Sequence, residues 1–501
     1  MENKRQIGDS RLKWGFKRIL VIELGVLFII GIFVLQVQAA VFNPDCSSAG
    51  LVAAITSANG NGETNVINLP ADCTITLDAI NNTADGNNGL PDIATDITVN
   101  GNGGTIERNS ASGSSFRIFH IASIGKLTLN NITIQNGSEP GAEGGGICNR
   151  GVLNLNDSTI ANNNNNDFGG GGIYTDGVAV NIANSTILNN STDFGGGGIR
   201  QVSGTLTITD STIYSNHSAY GGGGININYG DVVLDLVRCN VMHNTSQTSG
   251  GGISGNEAFG GSITIINSFI TDNQAGFYGY GGGGGISLNF SEAEFVSLEN
   301  TTISHNYSVS SGGGISHSNT FAPLTISNCT ISNNEANNSG GGISSVTTGS
   351  AQLSISDSTF SENYAGSAGG AIHTNSLFSI TASIFSGNIS GYENEGQGGG
   401  GAINFPSVYV AGDVINCTFA DNTAGLDGGG VHSYGTVNFT NCTFSGNLTP
   451  NGSGEALCVA GGTITLHNII VTSSLRGDIG DGNCDNADPT LTICFADEIG
   501  Y

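Results

Sequence analysis

The tetrapeptide Gly-Gly-Gly-Ile returns about every 28 residues between positions 144 and 431. Copies lie at 144–147, 170–173, 195–199 and 221–225, and continue at 250–253, 281–286, 312–315, 340–343, 369–372, 398–403 and 428–431. Some carry extra glycines, one reads GGAI, and the last ends in Val431. A second motif, an apolar residue followed two spacers later by Asn, comes 13–17 residues after each. Its asparagines are Asn163, Asn190, Asn216, Asn244, Asn273, Asn306, Asn334, Asn363, Asn388, Asn422 and Asn447. Two interleaved signals sharing one period mean that one supersecondary unit is stacked many times.

Within a unit the pattern is that of short strands. From Gly195 the chain reads GGGGIRQVSGTLTITDSTIYSN. Leu206-Thr207-Ile208 and Ser211-Thr212-Ile213 alternate polar and apolar residues, separated by a polar corner at Thr209-Asp210. No unit carries a ten-residue amphipathic helical pattern, and three short strands per unit fit neither a propeller blade nor a helical repeat. The arrangement predicts an all-β, parallel β-helix solenoid of about 12–15 coils, each strand pairing with its equivalent ~4.8 Å away in the next coil. Leu206, Ile208 and Ile213 then point inward, and the Asn column sits at one corner, where Asn tolerates left-handed backbone and its amide bonds along a ladder.

The ends need covers, because terminal coils expose strand edges and core. Residues 47–59 form the one helical-looking segment, with Leu51, Ala54, Ile55 and Ala58 on one face and Ser47 or Ser48 as N-cap. The expected organisation is an export signal or N-terminal anchor over 1–39, a short N-terminal helical cap over 40–63, the β-helix over 64–474, and a C-terminal cap or tail over 475–501.

The first forty residues support export. Six of the thirteen Lys and Arg fall within the first eighteen positions, followed by an apolar stretch over 19–37 and small residues at Val37 and Ala39. The remainder holds seven basic residues against 37 acidic ones. Such a polyanion repels nucleic acid and anionic lipid, so no nucleic-acid partner is expected and a membrane is reached only through an uncleaved N-terminal segment. No cofactor motif is found. Ca²⁺ is the ion an acidic body would attract, and Asp481, Asn483, Asp485 and Asp488 space oxygens like a Ca²⁺ loop, although Asn486 stands where that loop needs Gly. A weaker metal candidate is His243, Asp272 and His305, each preceding the motif Asn on consecutive coils.

Export also permits disulfides among the ten Cys. Cys46 and Cys73 are expected to tie the cap to the first coil, and Cys484 with Cys494 to close the tail. Cys417 and Cys442 occupy one position of successive motifs, so in-register coils put them within disulfide reach. That position faces inward, and buried free thiols are the alternative.

Alternating GGGI and FxxN motifs resemble the polymorphic outer membrane protein repeat of bacterial β-helix proteins. The segment 46–59 and the following INLPADCTITL are similar to the N-terminal cap of secreted bacterial β-helices. The resemblance covers about residues 46–471 and implies a right-handed parallel β-helix of the pectin-lyase-like fold and an exported cell-surface, outer-membrane or secreted protein. Its expected role is non-catalytic and adhesin-like, with a carbohydrate or a host or neighbouring-cell surface ligand as partner. The fold also houses polysaccharide lyases and glycoside hydrolases, so degradation of an acidic polysaccharide is the alternative. No catalytic residue is assigned, because the Asp-Asp, Gly-His-Gly and Arg-Ile-Lys signatures of polygalacturonase-like enzymes do not occur in the sequence.

Overall fold

The computed structural model describes residues 39–256, 261–276, 281–289, 294–318, 321–347, 351–391 and 399–472, and the backbone of 479–481 and 490–494. These residues form a parallel β-helix with one helix near its N-terminal end. One coil shows how the sequence makes the turn. Ile199–Gln201 is a strand, Gly204–Thr209 a second, Thr212–Tyr214 a third and His217–Ser218 a fourth. Asp210 and Ser215 separate the last three with φ of 49° and 52°. Those left-handed corners explain the polar residues between the strands, since Asn and Asp enter that conformation at least cost.

Stacking the coils generates three sheets. Strands like Gly204–Thr209 and Thr212–Tyr214 build a 30-stranded sheet, the two-residue strands a 10-stranded one, and the strands that begin at the motif Ile a 14-stranded lateral sheet. Register is preserved along the repeats: Leu206 pairs with Val180 on one side and Leu234 on the other. Because register holds, identical positions stack. Ile147, Ile173, Ile199, Ile225, Ile253, Ile286 and Ile315 form a fully buried inner column. Near the C-terminal end, Phe360, Phe385, Phe419 and Phe444 stack face to face with centroids 4.7–4.9 Å apart.

The glycine run is a packing requirement. A Cβ on Gly198 would sit 2.6 Å from the carbonyl oxygen of Gly224 in the next coil, and Gly196 has φ 73°. No side chain fits the first, and few residues accept the second.

The helix Ser48–Asn61 covers the N-terminal coil. Ser47 is its N-cap, accepting from the Gly50 amide at 3.0 Å, and Gly62 ends it with φ 70°. Leu51, Ala54, Ile55 and Ala58 are buried. The cap differs from the sequence expectation in one respect: Ala40–Phe42 is itself a strand, paired with Asn65–Asn68. At the other end the sheets also continue past 474. Ile479–Asp481 pairs with Leu457–Val459, and Thr490–Cys494 with Thr463–His467. The alternation Thr490-Leu491-Thr492-Ile493 carries a strand signal even though the GGGI motif has lapsed.

Candidate functional site

The motif asparagines are buried and act on one another. Asn216 Oδ1 accepts from both the backbone N–H and the Nδ2 of Asn190, each at 3.0 Å. Its own Nδ2 donates to the Ile187 carbonyl at 3.0 Å and to Asn244 Oδ1 at 3.0 Å. The same pattern runs from Asn163 through Asn190, Asn244, Asn273, Asn306, Asn334, Asn363, Asn388 and Asn422 to Asn447. From Asn163 to Asn422 the column spends its side-chain amides on the buried polar groups of the corner and on one another.

A second inner column explains the cysteines. Ser158, Ser185 and Ser211 each donate to the carbonyl two residues back, at 2.7 Å. Cys239, Cys329, Cys417 and Cys442 donate to the same carbonyl at 3.2–3.4 Å. The expected Cys417–Cys442 bridge is therefore corrected: both are buried free thiols. Each replaces a ladder serine, and Cys417 also hydrogen-bonds Cys442, which together with burial holds its pKa well above the ordinary thiol range. Cys46 and Cys73 do form a disulfide, with Cα atoms 5.7 Å apart. Cys484 lies outside the described residues, and only the backbone of Cys494 is described.

His243, Asp272 and His305 occupy the second corner, exposed, with φ of 55–56°. The column has a backbone explanation, since Asn189, Ser215, Asn333 and Glu362 take the same conformation. Among the described residues, one group brings three ligand atoms within 4.8 Å of one another: Asp427, His432 and Cys458. Cys458 is disulfide-bonded, which removes the thiolate a metal would need. Asn483, Asp485 and Asp488 lie outside the described residues, and only the backbone of Asp481 is described.

The chemistry of the molecule collects elsewhere, on the outer face of the lateral sheet. The residue after each motif Ile stacks in register there: His120, Cys148, Tyr174, Arg200, Asn226, Ser254, Ser287, Ser316, Ser344, His373, Asn404, His432 and Cys458. Where the column meets an open cleft, Ser287, Ser316 and Ser344 form its floor, and Ser249, Ser310 and Ser311, which lead into the glycine runs, form its wall.

At its N-terminal end the column is charged. His120 Nδ1 lies 3.2 Å from Asp92 and its Nε2 3.3 Å from Asp85. Arg150 Nε is 3.5 Å from the same Asp85, and its guanidinium also pairs with Glu143 at 3.2 Å and with Asp176. Tyr174 lies beside the guanidinium carbons of Arg150 and Arg200, 5.4 and 5.9 Å from its ring centroid. Burial pushes the Tyr174 hydroxyl and the Cys148 thiol each up to about 12, so both stay protonated at neutral pH. Below them Arg117 is fully buried and donates to the Asp85 carbonyl at 2.7 Å. Sequence reasoning missed this cluster because Asp85, Asp92 and His120 precede the first clear repeat.

The middle of the column is neutral. An open cleft of about 400 Å³ is lined by Ser249, Asn256, Ser287, Asn289, Ser316 and Ser344 together with further Ser and Gly and one Val. No lining side chain titrates. Two adjacent in-register columns supply its polar atoms, Ser287–Ser316–Ser344 and Asn256–Asn289, and both continue beyond the lining toward the N-terminal end, as Ser254–Asn226 and as Asn228. The buried Oδ1 atoms of Asn226 and Asn228 accept no hydrogen bond.

Toward the C-terminal end, Asn404 bridges two histidines that the sequence places two coils apart. Its Nδ2 donates to His373 Nδ1 at 3.0 Å, and its Oδ1 accepts from His432 Nδ1 at 2.9 Å. His373 accepts through Nδ1, and burial lowers its pKa to about 4.

Comparison with known proteins agrees with the repeat reading. Residues 357–375 match the family model for the Chlamydia polymorphic membrane protein repeat. No curated protein sequence matches the chain. Among solved structures it is similar to the A-module of the Azotobacter vinelandii mannuronan C-5 epimerase AlgE6, at 12% identity and a TM-score of 0.28, over 89% of this chain and 95% of that one. At that score nothing about chemistry carries across. Among the described residues no helix is long and apolar enough to cross a membrane. The described residues form a parallel β-helix, one segment of which, 357–375, is similar to the Chlamydia polymorphic membrane protein repeat.

Proposed function

We propose that this is an exported cell-surface or secreted protein that binds an extended glycan along the lateral groove and does not transform it. The basic, then apolar, N-terminal sequence supports export, and the repeat it shares with Chlamydia membrane proteins supports a surface location. The observation that carries the reading is the neutral cleft. Its hydroxyls and amides stand in two in-register columns, matching a ligand that repeats along its length and presents hydroxyl groups. Glycosidic chemistry needs a general acid and a base or nucleophile, and the cleft lining supplies neither.

A second reading rests on the charged end of the same groove. His120 between Asp85 and Asp92, with Arg150 and Tyr174 beside it, has the residue types of acid–base chemistry on an acidic polysaccharide. One experiment separates the two. The protein is incubated with immobilised neutral and uronic glycans, and bound ligand and released products are measured together. Binding without new reducing ends or unsaturated products supports the first reading. Turnover that His120→Ala abolishes establishes the second.

A further inference from the structure

Three aromatic residues stand in the wall of the groove immediately before successive glycine runs: Phe168, Phe194 and Tyr220. They are in register, since the Tyr220 amide donates to the Phe194 carbonyl at 2.9 Å and the Gly170 amide to Gly195 at 3.1 Å. Phe194 and Tyr220 lie 5.8 Å apart at 42°. The row is fixed from the floor: the Arg200 guanidinium carbon sits 4.5 Å over the Phe194 ring, and its Nη1 bonds the Phe168 carbonyl. The two outer rings remain open, with Phe168 45% and Tyr220 61% exposed. In the next coils the equivalent wall positions include Thr248 and Ser310, which are small or polar.

The row also joins the cleft. A Cβ on Gly221, next to Tyr220, would meet Ser254 Oγ at 3.0 Å and the cleft residue Asn256 at 3.3 Å. Asp167 and Asp193, each preceding an aromatic, are exposed, so the rim is negative on an already anionic body. A polyanion is repelled from such a rim. Aromatic faces take the C–H face of a pyranose ring, and the rise of one coil is close to the length of one hexose unit in an extended chain.

We infer that Phe168, Phe194 and Tyr220 form a stacking platform for an uncharged glycan, continuing the cleft by three coils toward the N-terminal end. This deepens the binding reading and rests on it. The test titrates the full chain with cellohexaose and chitohexaose, with oligogalacturonate as the anionic comparison. Tyr220→Ala and Phe168→Ala are each expected to weaken binding of an uncharged hexasaccharide about tenfold. Tyr220→Trp is expected to keep the affinity and change its fluorescence on binding. Both alanine variants remove exposed rings, and an unchanged circular dichroism spectrum shows that they fold. If the hexasaccharide binds, Ser316→Trp blocks it, and neither aromatic variant weakens it, the platform is overturned while the cleft reading stands. If only oligogalacturonate binds, or none of the probes does, both fall.

Discussion

Asn306 offers a direct test of what holds the coils in register. It is 1% exposed. Its Oδ1 accepts the Asn273 backbone amide and Asn273 Nδ2, both at 3.0 Å, and its Nδ2 donates to the Ile270 carbonyl at 2.8 Å and to Asn334 Oδ1 at 2.9 Å. Asn306→Ala deletes all four bonds. Asn334 Oδ1 keeps the Asn306 backbone amide as a donor at 3.1 Å. The Asn273 backbone amide keeps no acceptor, Asn273 Nδ2 keeps only the Val241 carbonyl and orphans its second N–H, and the Ile270 carbonyl loses one donor. Each orphaned buried group costs about 1–3 kcal/mol, so the substitution is expected to destabilise by roughly 3–6 kcal/mol. Asn306→Asp should be at least as harmful, because it sets carboxylate oxygens against the Ile270 and Asn334 oxygens. The control is Asn300→Ala at an exposed left-handed corner of the same coil, with φ 51°, where a cost of about 1–2 kcal/mol is expected. Urea unfolding and amide hydrogen exchange measure both, exchange being needed because a solenoid opens coil by coil. An Asn306→Ala cost below ~1 kcal/mol, or one equal to the control, refutes the ladder as a source of stability.

Phe419 is fully buried between Phe385 and Phe444, so Phe419→Ala should cost about 3–5 kcal/mol, near the upper end because two stacked faces are lost; a urea midpoint close to wild type would place the ring outside the core. His317 is fully buried, donating from Nε2 to the Ala322 carbonyl and accepting from Ser345 at Nδ1, and burial lowers its pKa to about 4. A folded pKa below the unfolded value of about 6.5 means that its contribution is complete above that pH and is lost as pH falls toward 4, by up to roughly 3 kcal/mol; His317→Gln should flatten that part of the stability profile, and an unchanged slope would show that another group sets it. Peptide mapping after denaturation should find alkylated Cys148, Cys239, Cys329, Cys417 and Cys442 and a Cys46–Cys73 disulfide peptide; a Cys417–Cys442 peptide would reverse the ladder argument.

The fold was legible because its determinants are local and repeated. GGGI marks where the backbones of neighbouring coils approach, and the motif Asn marks a corner whose amide must bond up and down, so eleven copies each restate the same geometry. Single-occurrence chemistry lacked that redundancy. Asp85, Glu143, Arg150 and Asp176 become neighbours only through three-dimensional stacking, and half of that cluster lies before the first regular copy. The link between His373 and His432 was not legible either, because the residue that joins them, Asn404, is an ordinary member of the column between them. The serine and cysteine column pointed to a bridge because spacing reports proximity and says nothing of the hydrogen bond each thiol already makes. One signal was visible and unused: an aromatic stands before the glycine run in three consecutive copies, at Phe168, Phe194 and Tyr220.

The asparagine column also has a sense of direction. Every side-chain link runs one way, from Nδ2 of one coil to Oδ1 of the next, from Asn163 to Asn447. The amide dipoles therefore add head to tail, and each bond polarises its neighbour. At the N-terminal end the Gly137 amide closes the chain by donating to Asn163 Oδ1 at 2.8 Å, a backbone group standing where no side chain exists. The two ends of the column are consequently of opposite character: it terminates in an acceptor at Asn163 Oδ1 and in a donor at Asn447 Nδ2.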